Sequence, residues 1–285
     1  MTLNFITFGG GHVNYRRAAR RLGRQAFESD FFDKVFTYNE FTLQNEFPAF
    51  WINHQNFITS NPRGFGKWLW KPFLIRELLK NLDEGDGVCY FDSGCQLNLS
   101  NTLSRQRFQE YLEFTTQNHL FAGQLNPIAG IYENVSEETW TRDSVLSLFD
   151  LSPEKRSSNQ IQATFVFLIK SSTTSSFIEE WFLNCYENDY FCLSDGFDEE
   201  QSRNFIEHRF DQSVFSCLYK KHGFEIFPDE SMWAPNWQKA GADYPIWAMR
   251  NRTGKNPFGM DLNSIIDEIY PKTKLTLNLA NKFLS

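Results

Sequence analysis

The stretch "GDGVCYFDSGCQLN", residues 85–98, decides how the rest of the chain is read. Val88–Phe91 is a short run of apolar residues bounded by turn residues, the pattern of a buried strand. Asp92 closes the run, and Ser93-Gly94 turns the chain away. Taken alone, Asp92 reads as an Asx-turn or a cap that closes a loop. The segments on either side of it ask for more than that.

Working toward the N-terminus, "KPFLIRELLKNL" predicts a helix with Pro72 in its first turn, where a missing N–H costs nothing. Before it lies an aromatic, Asn-rich connection over residues 39–66, with no element assigned. The first 40 residues predict strand ("LNFITF"), glycine turn (Gly9-Gly10-Gly11), helix (from Val13) and strand ("KVFTY"). Toward the C-terminus, "HLFAGQ" and "ATFVFLIK" predict strands, with one helix between them in "SEETWTRDSVLSLF". "TSSFIEEWFLNCYEN" spaces Phe177, Ile178, Trp181 and Cys185 as one helix face. "DQSVFSCLYKKHG" predicts a helix with Asp211 as N-cap and Gly223 as stop, and "FEIF" a last short strand. Strands alternating with helices predict an α/β domain with a mostly parallel sheet over residues 1–255, and a helical C-terminal extension over 256–285.

Composition narrows the partners. With 41% hydrophobic residues and 30 Phe among 285, the chain is globular and able to bury a large core. A net charge of −7 disfavours nucleic acid, which needs a cationic footprint. The opening "MTLNFITFGG" lacks the basic and apolar regions of a signal peptide, and no apolar run reaches the roughly 20 residues of a membrane span. Five cysteines without a CxxC pair fit a reducing compartment. The expected location is cytoplasmic, including the inner face of a membrane, with at most peripheral membrane contact.

Three further constellations could carry chemistry. In "RGFGKWLWKPF", residues 63–73, Arg63, Lys67 and Lys71 interleave with Phe65, Trp68, Trp70 and Phe73. Aromatics can stack on a base or sugar while cations neutralise phosphate, or the same set can form a core corner with snorkelling lysines. In "EHRFDQSVFS", residues 207–216, His208 and Asp211 are three apart at a helix start and share a side. With Asp92 they would suit Mn2+; the alternative makes Asp211 a plain cap and His208 a surface residue. In "WAMRNRTGKNP", residues 247–257, Arg250, Arg252 and Lys255 around Gly254 read as an anion clamp or as a solvated basic loop. The stripe Arg16, Arg20 and Arg24 reads as a solvated face or a contact for an anionic membrane, and "SDGFDEEQ" as a solvated acidic loop.

Together, "GFGKWLWKPFLI", "VCYFDSGCQLN", "IQATFVFLIKSS" and "HRFDQSVFS" resemble GT-A type glycosyltransferases, the nucleotide-diphospho-sugar transferase superfamily. The match is to a bacterial and viral set with a "GxGxWxWKP…YxDxGxxxN" pattern, and more distantly to family-8 retaining transferases. The resemblance covers roughly residues 3–255 and implies a Rossmann-like GT-A fold.

It implies transfer of a sugar, a hexose in the first instance, from a nucleotide-diphosphate donor (a UDP-sugar favoured) to a saccharide or other hydroxyl acceptor. Asp92 matches the metal-binding acid, joined by His208 or Asp211, with Mn2+ or Mg2+ as cofactor unless catalysis runs without metal. Gly9, Gly10, Gly11, Tyr38, Lys67, Trp68, Lys71 and Ser93 would line the donor site, with Arg250, Arg252 and Lys255 over the diphosphate. Asp211 and Gln212 match a "DQ" pair near the transferred sugar. One departure stands out: where the family's "DxD" has its second acid, this chain has Gly94. A non-catalytic module binding a nucleotide-sugar or glycan is the alternative function. A nucleotidyltransferase is a third, with "GGGHVNYRR" only loosely like its glycine-rich loop.

Overall fold

A computed structural model of the chain describes residues 1–128, 133–196 and 200–252; the expected extension at 256–285, and Lys255, lie outside the described residues. The described strands are β1 (Leu3–Phe8), β2 (Lys34–Tyr38), β3 (Gly87–Phe91), β4 (Gln96–Leu97), β5 (Leu120–Phe121), β6 (Gly123–Gln124), β7 (Phe165–Ile169), β8 (Phe227–Pro228) and β9 (Ile246–Trp247). The central sheet has the order β2-β1-β3-β7-β5. β1 pairs in parallel with β2 and β3, while β7 runs antiparallel to both β3 and β5. Four of the five strands therefore point the same way, and the sheet is mostly parallel with β7 reversed.

β1, β3 and β7 are buried along their whole length, as central strands covered on both faces must be. Alternate residues go to opposite layers. Ile6, Phe8, Val88, Tyr90, Val166 and Leu168 pack against helices Trp70–Lys80, Ser172–Tyr190 and Asp211–His222. Phe5, Cys89, Phe91, Phe165 and Phe167 face helices Val13–Glu28 and Thr102–Asn118. Each fully buried aromatic removes enough apolar surface from water to contribute about 1.5–3 kcal/mol before entropy is counted.

Several segments differ from the sequence expectation. Residues 39–66 are mostly helical, with Glu40–Asn45 capped by Asn39 and Pro48–Ser60 started by proline. "SEETWTRDSVLSLF" is broken at Thr141-Arg142 into Glu137–Trp140 and Asp143–Leu148. "HLFAGQ" splits into β5 and β6, and "FEIF" contributes only Phe227 to a strand. Asp211 is the first residue of its helix rather than its cap; Phe210 holds the cap position and no side chain caps it. All five cysteines are free and buried. Among the described residues no helix is long and apolar enough to cross a membrane.

The chain leaves β1 for β2 on one side and returns through β3 on the other. The sheet thus has its topological switch point between β1 and β3, where open α/β sheets present a crevice to ligands. The pairing of Ile6 with Tyr90, carried forward, sets Phe8 and the glycine turn level with Asp92.

Candidate active site

Asp92 stands at the carboxyl end of β3, two residues after Tyr90, so both side chains leave the strand on one face. Its backbone N–H donates to Thr164 O (2.8 Å), which ties the strand end to the entry of β7. Cys95 N–H closes a turn onto Asp92 O (2.9 Å), leaving Ser93 and Gly94 at the tip. The Tyr90 hydroxyl donates to Asp92 Oδ1. Burial, with Asp92 adding to it, raises the Tyr90 phenol well above its ordinary value, so it remains a neutral donor.

Lys71 reaches the same carboxylate from the first turn of helix Trp70–Lys80. Its Nζ lies 3.2 Å from Asp92 Oδ1 and 2.7 Å from Asp211 Oδ2. It donates to Ala163 O at 3.0 Å and sits 5.3 Å from the centre of the Tyr90 ring. Lys71 is only 2% exposed, yet it keeps its proton. Burial pulls its pKa down, and Asp211 and Asp92 pull it up by more. Asp211 is also buried. Burial lifts its carboxyl to about 7, Lys71 works against that lift and Asp92 adds to it. The cluster holds two carboxyls and one ammonium, and Asp211 is the group that takes up a proton near neutrality.

Two strained segments deliver these residues. Residues Gly64, Phe65, Gly66, Lys67 and Trp68 all have positive φ, at 62, 52, 84, 50 and 61°. This left-handed turn costs on the order of 1–2 kcal/mol for each non-glycine residue. It is held by Trp70 Nε1 donating to Gly64 O (2.9 Å) and by Lys67 paired with Asp195. A Cβ at Gly66 would meet Ile58 Cγ1 at 2.7 Å, so close packing as well as φ demands glycine there. The second segment is Phe210, at φ 47° and ψ −117°, immediately before Asp211. Trp181 Nε1 fixes the Asp211 carbonyl at 3.0 Å.

The other expected site residues divide into two groups. Gly9–Gly11 and Tyr38 do lie on the Asp92 edge of the sheet, with Gly9 N–H donating to Tyr38 O (3.0 Å). A Cβ at Gly9 would fall 2.1 Å from Tyr15 O, and one at Gly11 2.8 Å from the Phe65 ring. The absent side chains thus serve packing of the loop itself. Burial, with Glu46 adding to it, pushes the Tyr38 phenol up to about 12. Ser93 is buried at the turn tip. Lys67 pairs with Asp195 and lies 4.6 Å from the Phe210 ring, and Trp68 stacks on that ring. Trp70 stacks on Phe8 at 3.9 Å. Of the cationic–aromatic segment, then, Lys71 alone reaches the two carboxylates.

His208 is a correction. Its Nδ1 accepts from Arg142 N–H (3.3 Å), so Nε2 carries the hydrogen and donates to Cys192 O (2.8 Å). Burial lowers its pKa to about 4, and neither nitrogen keeps a lone pair for a cation. Gln212 is committed too. Its Oε1 accepts from Ala163 N–H (3.3 Å) and its Nε2 donates to Gln160 Oε1 (2.7 Å), which makes it a positioning residue for segment 160–163.

Gly94 explains the missing second acid. A Cβ there would lie 3.0 Å from Arg250 Cα and 3.3 Å from Arg250 C, and Asn251 N–H donates to Gly94 O (2.9 Å). The space a second carboxylate would need is filled by the backbone of the Arg250–Arg252 segment. Arg252 lies 5.6 Å from the Tyr15 ring, and Arg250 is exposed at φ 54°. Arg21, which sequence reasoning missed, locks this contact. Its guanidinium donates to Ser93 O (2.9 Å), Cys95 O (2.6 Å) and Asn251 O (3.2 Å). The only sequence signal was its place beside Ala18 and Leu22, off the stripe of Arg16, Arg20 and Arg24, of which Arg16 is half-buried against Glu40.

The residues present do not fit a two-carboxylate divalent site. Asp92 Oδ1 already receives Tyr90 and Lys71, Asp211 faces the same ammonium, and position 94 is closed. Among the described residues no three His, Cys, Asp or Glu side chains are grouped to hold an ion.

No family model and no curated protein matches the chain. Among solved structures, a glycosyltransferase involved in the glycosylation of the major capsid of PBCV-1 is similar over 94% of this chain and 98% of that one. Its identity is 9% and the TM-score 0.43. Mouse xyloside xylosyltransferase 1, in its apo form, is similar over 87% of this chain and 97% of that one, at 10% identity and a TM-score of 0.43. Both neighbours are glycosyltransferases. No residue of this chain takes its role from either.

Proposed function

We propose that this chain is a glycosyltransferase that moves a sugar from a nucleoside-diphosphate donor, with UDP-sugars first to be tried, to an acceptor hydroxyl. The observation that carries the reading is the convergence of Asp92, Lys71 and Asp211 beside the β1–β3 switch point. When a glycosidic bond to a diphosphate breaks, negative charge collects on the leaving phosphates. A fixed cation placed where that charge forms lowers the barrier, because it needs no reorganisation at the moment of reaction. Lys71 supplies one such charge, and the Arg250–Arg252 segment supplies others at the same edge. Asp92, with 28% of its side chain exposed, is the carboxylate that presents itself to a ligand, while Asp211 is buried behind Lys71. In this scheme Asp92 orients the donor's hydroxyls, and Asp211 fixes the ammonium and exchanges a proton near neutral pH.

The test is incubation with UDP-, GDP-, ADP- and CMP-sugars while free nucleotide is quantified. Release from one donor, slowed by about 10²–10³ in Asp92→Asn, supports the transferase. Binding of a donor with no release by the wild type moves the reading to a binding module.

A further inference from the structure

We propose that the Lys71 ammonium is the resident cation of this site, and that a nucleoside diphosphate binds here without a divalent metal. The proposal rests on the nucleotide-binding reading for its ligand and on the side-chain geometry for its cation.

An ammonium has three N–H donors, and Lys71 has three oxygen partners within reach: Asp211 Oδ2 at 2.7 Å, Ala163 O at 3.0 Å and Asp92 Oδ1 at 3.2 Å. It is a cation held by one hydrogen bond and two ion pairs, and enclosed by protein on most sides. Mg2+ draws its oxygens to about 2.0–2.1 Å, and an ion bridging Asp92 and Asp211 would need the space that the nitrogen between them already fills. An ion bridging the two carboxylates would have to expel an ammonium that is 2% exposed and anchored from the first turn of a buried helix.

The surroundings are built to the same plan. The turn tip that would carry a second acid instead takes the backbone of Arg250 and Asn251, clamped by Arg21. Position 94 thus exchanges a would-be anionic ligand for the approach of a cationic segment. His208, the one imidazole near enough in sequence to Asp211 to join a metal shell, spends both nitrogens on backbone groups. Each change leaves fewer free ligands for a metal, and Lys71 offsets charge on the two carboxylates. A pyrophosphate arriving over Asp92 would have Lys71 behind that carboxylate and the backbone of the Arg250–Arg252 segment packed on Gly94 beside it.

The experiment titrates the full chain with Mn2+ alone, reading free ion by electron paramagnetic resonance, and separately measures UDP, GDP, ADP and CDP binding by calorimetry in EDTA and in Mn2+. The wild type is expected to leave Mn2+ free, and its preferred diphosphate to bind equally well in both media, within about twofold. Lys71→Ala uncovers two carboxylates and is expected to gain Mn2+ affinity by at least about tenfold, a gain lost again in Lys71→Ala/Asp92→Asn. Stoichiometric Mn2+ binding by the wild type that Asp92→Asn abolishes would overturn the proposal, as would diphosphate binding confined to the Mn2+ medium. If Lys71→Ala does not fold, the wild-type and Asp92→Asn arms decide alone. If no diphosphate binds in either medium, the donor reading fails, while the Mn2+ titration still decides the cation.

Discussion

Replacing Lys71 with methionine keeps the length of the side chain and removes its charge. Asp211, buried, then loses its counterion, Ala163 O loses a donor, and Asp92 and Asp211 face each other across an apolar tip. Removing one partner of a buried ion pair costs about 3–5 kcal/mol, because the remaining charge is left uncompensated. The size depends on pH in a definite sense. Asp211 already holds its proton up to about pH 7, since its native pKa is raised above its unfolded value. A raised carboxyl favours the folded state below the unfolded pKa and loses that contribution as pH climbs through the folded one. In Lys71→Met nothing opposes the lift, so Asp211 stays protonated to a higher pH. The variant should lose about 1–2 kcal/mol at pH 5, the worth of lost hydrogen bonds, and up to about 1.4 kcal/mol more at pH 8, the worth of one pH unit beyond the wild-type value near 7. Urea denaturation at both pH values measures this directly, with Lys71→Met/Asp211→Asn as the coupled double variant. The double variant should recover much of the loss at pH 8. A loss under about 1 kcal/mol at pH 8, or an equal loss at both pH values, would refute the ion-cluster reasoning.

Gly94→Ala pushes a methyl group into the Arg250 backbone and should cost about 1–3 kcal/mol, with faster proteolysis of the 247–252 segment. Arg21→Ala removes three guanidinium–carbonyl bonds from that contact; hydrogen-exchange at Cys95 and Asn251 should quicken, with a loss of about 1.5–3 kcal/mol. Gly66→Ala combines φ 84° with a 2.7 Å approach to Ile58, so denaturation should show a loss of more than about 1 kcal/mol. His208, held at about 4 by burial, contributes stability that is whole above its unfolded value near 6.5 and is lost as pH falls toward 4. His208→Gln can keep both backbone bonds without titrating, and its stability should fall less steeply between pH 6.5 and 4, by up to about 3 kcal/mol across that range.

What the sequence disclosed, and what it hid, follows from where the determining contacts lie. β3 was legible because a strand buried on both faces shows as an unbroken apolar run, and β1 because its Leu, Phe and Ile outnumber Asn4 and Thr7 in a β-rich stretch ended by glycines. The strand-tip place of Asp92 came with them. Helix Thr102–Asn118 was not read, since only Ser104, Phe108, Tyr111 and Thr115 are buried along it and the apolar stripe is thin. The break at Thr141-Arg142 is held from outside the segment by His208 on the Arg142 N–H and by Gln160 on the Thr141 hydroxyl, which in turn donates to Glu137 within it. Lys71 and Asp211 were singled out as residues, but their pairing required the left-handed turn at 64–68, and no propensity favours Phe65, Lys67 and Trp68 at positive φ. The meaning of Gly94 was hidden for the same reason: it lies in the backbone of residue 250, far away in sequence. The reading of His208 as a ligand failed because its nitrogens are spent on main-chain groups from two other segments.

The central claim is that the Asp92–Lys71–Asp211 cluster receives a nucleoside-diphosphate sugar. The most direct measurement is the thermal unfolding of wild type and Asp92→Asn with each UDP-, GDP-, ADP- and CMP-sugar in turn. A donor at 100 times its Kd adds about 2.7 kcal/mol, which moves the midpoint by about 5 °C for a chain of this size. The account predicts such a shift for the wild type with one nucleotide class, and its loss in Asp92→Asn. A shift of equal size in both proteins, or none with any donor, would contradict it.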